Sequence, residues 1–149
     1  MDKSAVGREG VPFEMEIEKG KVREFARAVR ARHPSYGKDE QPVIPPTFLT
    51  TSFFWEAWVD GANPWAFVQM DQRRGMHAEQ EYVFHGPPPR AGTKLVCRSR
   101  VTEMYEKKGR RGGVLTFAVM VTELRDETGR LVAEAKLTGV ETERAPEGT

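Results

Sequence analysis

The clearest pattern in the chain is an alternation of apolar and polar side chains near the end of the sequence. From Leu131 to Thr142 every second residue is apolar or small, as in a strand buried on one side: Leu131, Ala133, Ala135, Leu137 and Gly139. Val114–Leu124 is a second strand-like run, rich in apolar and β-branched residues, and Asp126–Gly129 lies between the two. Because Asp suits the start of a type I turn and Gly suits a left-handed closing residue, the pattern predicts a β-hairpin.

Three further segments alternate in the same way. His77–His85 and Thr93–Glu106 predict two more antiparallel strands, and Pro12–Ile17 predicts a short first or edge strand. In the second of these, Leu95, Cys97 and Val101 should face inward. The sequence therefore predicts an antiparallel sheet of about five strands with one apolar face, which must be buried against another element.

Two segments predict helices. In Lys19–Arg30 the apolar residues recur with helical spacing, at Val22, Phe25, Ala26 and Val29. Phe48–Val59 is ambiguous, because its threonines favour a strand, but its length and a preceding Pro-Pro-Thr entry favour a helix. This segment is apolar nearly all round, so we predict that the sheet wraps around it and that Glu56, its one charge, lies at an exposed end.

The resulting architecture is α+β, with one domain over residues 1–149 and a central helix against a curled sheet. Residues 1–10 and 144–149 show no pattern, and we expect them to be flexible. Ala62–Gly75 is a long connection that carries Trp65 and Phe67. A connection of this length is either the wall of a ligand site or a segment that packs across the sheet edge.

Composition narrows the range of functions. The net charge is +1 with 30% charged residues, which argues against a nucleic acid as the main partner. No apolar run approaches the ~20 residues that span a bilayer, and no leader-like segment is visible, so we expect a cytoplasmic protein. The single cysteine, Cys97, is expected to be a buried apolar residue. No spacing suits a metal site and no Gly-rich phosphate loop is present, so we predict neither a metal nor a cofactor.

Four segments together resemble the MaoC-like family, in particular its dehydratase N-terminal-type branch, which has the hot-dog fold. They occur in the family's order along nearly the whole chain: Lys21–Val29, Ile44–Phe48, His77–Tyr82 with Pro89–Thr93, and Asp126–Gly129. The resemblance implies a hot-dog fold and (R)-specific hydration of an enoyl thioester, or the reverse dehydration of a 3-hydroxyacyl thioester. The carrier would be coenzyme A or acyl carrier protein.

Active members of this family use an Asp and a His, in a loop of pattern Asp-x-Asn-Pro-x-His after the first helix. Aligned on Pro34, this chain has Ala31 at the Asp position and Tyr36 at the His position. Alanine cannot transfer a proton, and tyrosine is a poor base at neutral pH. The family includes heterodimers in which one subunit lacks the dyad, so the resemblance implies a subunit that shapes the acyl site for a dyad-bearing partner.

Other residues offer alternative chemistry. His33 lies in the same loop and can act as a base, although a solvated histidine is the ordinary interpretation. His77 and His85 have the same alternation parity at opposite ends of one strand, too far apart to act together. Glu56, or the nearby Asp60, can activate water as a carboxylate does in some hot-dog thioesterases. Glu56, His33 and His77 are therefore candidates for a self-sufficient thioesterase or hydratase.

Acyl binding is predicted at three places. The resemblance assigns the thioester carbonyl to the start of the central helix. Aromatic side chains and one arginine can contact the acyl group and its carrier. The predicted binding residues are Pro46, Thr47, Phe48, Trp55, Trp65, Phe67 and Arg90. The basic turn Lys107–Gly113 can bind phosphates, although it can equally keep a hairpin tip soluble.

Val114–Leu124 is apolar on both faces, so one face can cover the central helix while the other contacts a second subunit. We therefore expect a homodimer or a heterodimer; a third alternative is a dimer that only binds an acyl thioester.

Overall fold

The computed structural model describes residues 1–110 and 112–144. Five antiparallel strands form one sheet in the order β1-β3-β4-β5-β2. These strands are β1 (Phe13–Glu16), β2 (Gly75–Phe84), β3 (Lys94–Lys108), β4 (Val114–Arg125) and β5 (Leu131–Thr142). Helix α1 is Lys19–Ala28, and helix α2 is Phe53–Glu56, which directly continues a 3₁₀ helix at Phe48–Ser52. The predicted α+β class with a five-stranded sheet is confirmed.

The hairpin between β4 and β5 follows its sequence pattern. Gly129 has a φ of 84°, and its N–H donates to the carbonyl of Asp126 at 2.8 Å. Beyond the turn, Ala133 and Ala135 of β5 are buried in the main core with Leu95 and Cys97 of β3. The predicted inward face of the sheet is therefore the observed one.

Helix α1 ends two residues earlier than the periodicity predicts. Arg30 adopts a left-handed conformation with a φ of 55°, and the Ala31 N–H donates to the carbonyl of Ala26 at 2.8 Å. A left-handed residue ends a helix because the backbone after it can no longer continue the turn. Val22 and Ala26 of α1 are buried in the interior, whereas the residues after Arg30 form a separate loop.

The central helical segment differs from its prediction in length and in burial. Its first five residues form a 3₁₀ helix, in which the Thr51 hydroxyl donates to the carbonyl of Phe48 at 2.8 Å, and only four residues are α-helical. Phe48 is fully buried, but Phe53 and Phe54 are half exposed and Trp58 is 89% exposed. The reason is that an open sheet covers a helix from one side only, so the apolar outer side remains uncovered.

The first ten residues, expected to be flexible, instead pack along the sheet. Their backbone N–H groups donate to distant carbonyls, from Asp2 to Val68 at 2.8 Å and from Gly7 to Val101 at 2.8 Å. Ala5 is buried against Val101 and Ala118. Polar composition did not reveal this contact because backbone groups, rather than side chains, make most of it.

A β-bulge in β2 separates the two histidines that the alternation places on one face. The register with β5 shifts between His77 and Glu79. His77 consequently lies on the same side as Gln80, whereas the His85 ring is 2.7 Å from the carboxylate of Glu134 on the opposite side. Because a bulge adds one residue to the strand, every side chain beyond it lies on the face opposite to the one that simple alternation predicts. The prediction that His77 and His85 lie on the same face is therefore wrong.

The connection between α2 and β2 packs onto the sheet. It contains a 3₁₀ helix at Pro64–Val68, and the Trp65 ring lies directly over Gly139 of β5. A Cβ atom at position 139 would be only 2.6 Å from that ring, so glycine is needed for the close approach. At Trp65 the connection therefore packs across the sheet, as one of the two predicted roles requires.

The basic turn between β3 and β4 is described only in part. Lys107 lies over the stacked rings of Tyr105 and Phe117, while Arg111 falls outside the described residues, as do residues 145–149 at the end of the chain.

Cys97 is buried, as predicted. Burial together with the negative charge of Glu56 raises the pKa of its thiol to about 12. Within residues 1–110 and 112–144, the helices are too short or too polar to cross a bilayer.

Candidate functional site

A cavity of about 430 Å³ lies between the central helical segment and the inward face of the sheet. Its walls are contributed by the helical segment, the Trp65 connection, and strands β2, β4 and β5. Apolar side chains form most of the wall: Leu49, Phe53, Trp65, Met70, Met76, Met120 and Leu137. A similar number of polar side chains reaches the same space: Thr50, Ser52, Glu56, Asn63, Gln72, His77, Gln80 and Thr122. A cavity that combines apolar walls with converging polar groups is typical of a small-molecule site.

Glu56 is buried at the end of α2, in contrast to the exposed position that we predicted. Only 7% of the residue is exposed, and its Oε1 accepts a hydrogen bond of 2.9 Å from the Ser99 hydroxyl. Burial raises the pKa of the Glu56 carboxyl, and the hydrogen bond from Ser99 opposes this only in part. The prediction failed because α2 is so short that its last residue still faces the sheet.

Stability should therefore depend on pH through Glu56. The unfolded chain ionises this carboxyl near its ordinary pKa of 4.5, whereas the folded chain retains the proton to higher pH. The folded state binds more protons in that window, so the free energy of unfolding falls as pH rises from 4.5 through the folded pKa. We expect Glu56→Gln to gain stability relative to the native chain across this range, measured by urea unfolding at successive pH values.

The matched control for this experiment is Glu103→Gln, which removes an exposed carboxylate from β3. For Glu103→Gln, we expect no gain in the free energy of unfolding that grows with pH, in contrast to Glu56→Gln. A constant stability difference between Glu56→Gln and the native chain from pH 4.5 to pH 8 would contradict the assigned burial.

His77 is the other titratable candidate at this cavity. The bulge brings it to the mouth of the cavity, where its Nε2 lies 3.0 Å from the carbonyl oxygen of Glu79. Deeper in, the Gln80 amide donates to the carbonyl of Lys136 at 3.0 Å, which fixes its orientation. The sequence candidates Glu56, His77 and Trp65 thus line one cavity.

The loop that follows α1 forms a separate surface. Ala31, His33 and Tyr36 line a shallow groove against the polar side of α1. The His33 Nδ1 lies 2.7 Å from the hydroxyl of its neighbour Ser35. Within residues 1–110 and 112–144, no Asp or Glu lines this groove. The groove therefore offers no carboxylate with which His33 or Tyr36 can share a proton.

Most of the predicted acyl contacts lie away from the cavity. Thr47 occupies the N-cap position of the 3₁₀ helix, but its side chain makes no capping hydrogen bond, and both Thr47 and Pro46 are exposed. Phe48 lies in the core. Trp55 packs beneath the ammonium group of Lys21, with the nitrogen 4.9 Å from the ring centroid.

The last two predicted contacts lie on the surface. Phe67 lies under the guanidinium group of Arg8 at 4.1 Å, and Arg90 donates to the carbonyl of Gln41 at 2.9 Å. Trp65 is the one member of the predicted contact set that lines the cavity.

Sequence reasoning missed several cavity residues. Met70, Met120, Gln80 and Thr122 point into the cavity from three different elements. The alternation in β4 could have indicated Met120 and Thr122, since both belong to the face that includes the buried Leu124. Met70 belongs to the Ala62–Gly75 connection, which was predicted to be either a ligand wall or a packing segment, but no pattern distinguished it from its neighbours. Within the described part of the chain, no three His, Cys, Asp or Glu side chains gather as a metal site would require.

Comparison with known proteins places this geometry in a family. The chain matches the family described as "FAS1-like, dehydratase domain region" over residues 4–135, which is most of its length. The chain belongs to this family. A UPF0336 protein of Streptomyces griseus is 30% identical over 144 residues, which cover 91% of each chain.

Two solved structures confirm the hot-dog fold of this FAS1-like dehydratase region. The truncated HadBC complex of Mycobacterium tuberculosis, a 3R-hydroxyacyl-ACP dehydratase, contains a chain that superposes with a TM-score of 0.70 at 24% identity, covering 94% of this chain and 99% of that one. The MaoC-like dehydratase of Phytophthora capsici gives a TM-score of 0.73 at 14% identity, covering 99% of this chain and 52% of that one. Together with the family match over residues 4–135, these structures confirm the hot-dog dehydratase fold that the resemblance implied.

Proposed function

We propose that this chain is a subunit of an (R)-specific enoyl-thioester hydratase, or 3-hydroxyacyl-thioester dehydratase, and that its partner subunit supplies the acid–base pair. The observation that carries the proposal is the loop after α1, where Ala31 and Tyr36 stand at the positions of the family's Asp and His. Proton transfer by positioned side chains contributes about 10²–10⁴-fold to such reactions. A chain without that pair retains the fold and the binding surface but not this contribution.

The cavity supports acyl binding by this subunit. Its volume of about 430 Å³ lies within the usual range of roughly 300–1,000 Å³ for small-molecule sites. The side chains of Met70, Met120 and Leu137 offer flexible apolar contact to a hydrocarbon chain. The substrate in this proposal is therefore an acyl thioester whose chain enters between α2 and the sheet.

Two surfaces of the chain support a partner of the same fold. The first is the outer side of the central segment, where the half-exposed rings of Phe53 and Phe54 lie 4.1 Å apart and Trp58 is almost fully exposed. Exposed apolar surfaces of this kind mark interaction sites. The second is strand β2, which pairs with β5 along one edge only and so leaves its other edge open. HadBC, with which this chain shares its fold, is itself described as a complex.

The decisive experiment measures hydration of a trans-2-enoyl-CoA by the purified chain, by a dyad-bearing MaoC-like chain, and by the two together. We expect the pair to exceed this chain alone by at least about 10²-fold, the lower range of acid–base catalysis. Replacing the partner's dyad histidine by alanine is the matched control and should abolish the gain. Robust hydration by this chain alone would refute the proposal.

Hydrolysis of an acyl thioester is a second candidate function, favoured by the position of Glu56. Its carboxyl lines the cavity and has a raised pKa because of burial, as a general base near neutral pH requires. In this candidate Glu56 removes a proton from the water that attacks the thioester carbonyl, and the thiol leaves with a proton. Release of free coenzyme A from acyl-CoA, lost in Glu56→Gln, would support it over the hydratase subunit.

A further inference from the structure

Three buried oxygen-bearing side chains connect α2 to the neighbouring strands β3 and β4. Ser99 of β3 donates to Glu56 Oε1 at 2.9 Å, and the Ser99 Oγ lies 2.9 Å from the Thr122 Oγ1 on β4. Ser99 is fully buried, whereas Glu56 and Thr122, which are 7% and 6% exposed, both reach the cavity. The cavity therefore has buried polar groups in its wall, beside the apolar side chains that would suit a plain hydrocarbon.

The directions of these hydrogen bonds follow from counting protons. A hydroxyl group carries one proton, and the proton of Ser99 is donated to Glu56. The second contact of Ser99 must therefore use the proton of Thr122, whose hydroxyl then offers only lone pairs to the cavity. Glu56 lines the cavity, and its Oε2 makes no hydrogen bond within the described residues and is not fully buried, so it is accessible to a ligand.

The complementary ligand group can be deduced from these free positions. Thr122 can accept a hydrogen bond, and Glu56 Oε2 can accept one when ionised or donate one when protonated. When Glu56 is protonated, a hydroxyl group satisfies both residues, because it accepts a hydrogen bond from Glu56 and donates one to Thr122. When Glu56 is ionised, the single proton of the hydroxyl group is donated to one of the two acceptors. A keto oxygen can only accept, and a methyl or methylene group can do neither, so both are poorer matches.

We infer that Glu56 and Thr122 form a hydroxyl-recognition subsite, and that this chain selects acyl thioesters with a hydroxyl group on the part of the acyl chain remote from the thioester. This inference rests on the proposed acyl-binding function and specifies its substrate class. The hydroxyl is distinct from the one that hydration creates next to the thioester, because the resemblance assigns the thioester to the start of the central segment at Thr47, whereas Glu56 is the last residue of that segment. Hydroxylated acyl groups are products of oxygenation or of incomplete chain reduction, so reactions of those classes would supply the substrate.

The test uses isothermal titration calorimetry with octanoyl-CoA and with hydroxyoctanoyl-CoA isomers that carry the hydroxyl on each carbon of the outer half of the chain. We expect one isomer to bind about tenfold more tightly than octanoyl-CoA, as one additional hydrogen bond to a buried acid implies. Equal affinity for octanoyl-CoA and all isomers would overturn the inference and leave acyl binding intact. Absence of binding by any acyl-CoA, with the partner present, would overturn both.

Two variants separate recognition from a structural role. Glu56→Gln keeps an oxygen for Ser99 and an amide for the ligand, so the preference for the hydroxylated isomer should persist. Glu56→Leu removes both the oxygen that contacts Ser99 and the polar group that would contact the ligand, and Thr122→Val removes the hydroxyl acceptor of Thr122. Each variant should therefore reduce the preference for the hydroxylated isomer over octanoyl-CoA. A purely structural role would change the affinity for octanoyl-CoA and for its hydroxylated isomer by the same factor, and that result would contradict the inference. Circular dichroism melting confirms that each variant is folded.

Discussion

Phe48→Ala is expected to lower the free energy of unfolding by about 3–5 kcal/mol, the usual cost of removing a fully buried aromatic side chain. Phe48 is 0% exposed and meets the Phe25 ring edge-on, with 5.4 Å between the ring centroids. Both the central segment and α1 therefore depend on this side chain. Urea unfolding monitored by circular dichroism measures the loss.

Phe54→Ala is the matched control, because it makes the same chemical change six positions along the same segment. Phe54 is 53% exposed, and its main neighbour is the equally exposed Phe53. We expect a loss of less than about 1 kcal/mol, as for most surface substitutions. Equal losses at the two positions would show that the central segment does not bury the side that the structure assigns to the core.

Gly10→Ala should destabilise the chain by about 1–3 kcal/mol, the cost of forcing extra volume into a closely packed position. A Cβ atom at Gly10 would lie only 1.8 Å from the carbonyl oxygen of Ala62, so the backbone itself must move. On its other side, the Gly10 N–H donates to the carbonyl of Ser99 at 2.9 Å. Movement away from Ala62 therefore strains this hydrogen bond, and thermal unfolding should report the loss.

Gly20→Ala supplies a control with the opposite sign. Gly20 lies within α1, and no atom within 4 Å would meet an added Cβ. Alanine there should stabilise the helix by about 0.5–1 kcal/mol, because it restricts the unfolded chain more than glycine does. If Gly10→Ala stabilised the chain as Gly20→Ala does, the first ten residues could not be packed against the 61–64 loop as described.

The sheet could be predicted from the sequence because its strands are half buried. Alternation in β3 and β5 directly records which side chains face the core, and the turn at Gly129 requires a left-handed residue. The central segment was harder, because a helix covered on one side by a sheet need not be polar on the other. Because Phe54 and Trp58 are aromatic although they are exposed, the segment is apolar nearly all round, and its sequence therefore predicted a helix buried on every side.

The cavity could be predicted only in part. Trp65, Glu56 and His77 were candidates, but their convergence depends on a bulge in β2 and on the shortness of α2. Neither feature has a local sequence pattern, since both result from how the strands and the helix fit together. The burial of Glu56 was missed for the same reason, while the replacement of the family's acid–base pair at Ala31 and Tyr36 required only alignment of a short loop.

The burial of Cys97 has a practical consequence for measuring the dynamics of this chain. It is the single cysteine in the sequence, it is inaccessible in the folded state, and the pKa of its thiol is raised to about 12. Thiol reagents react with the thiolate, so alkylation requires an opening that exposes β3 to solvent. The rate of alkylation under native conditions therefore reports the frequency of that opening without an engineered label, and a ligand that fills the cavity should slow the reaction.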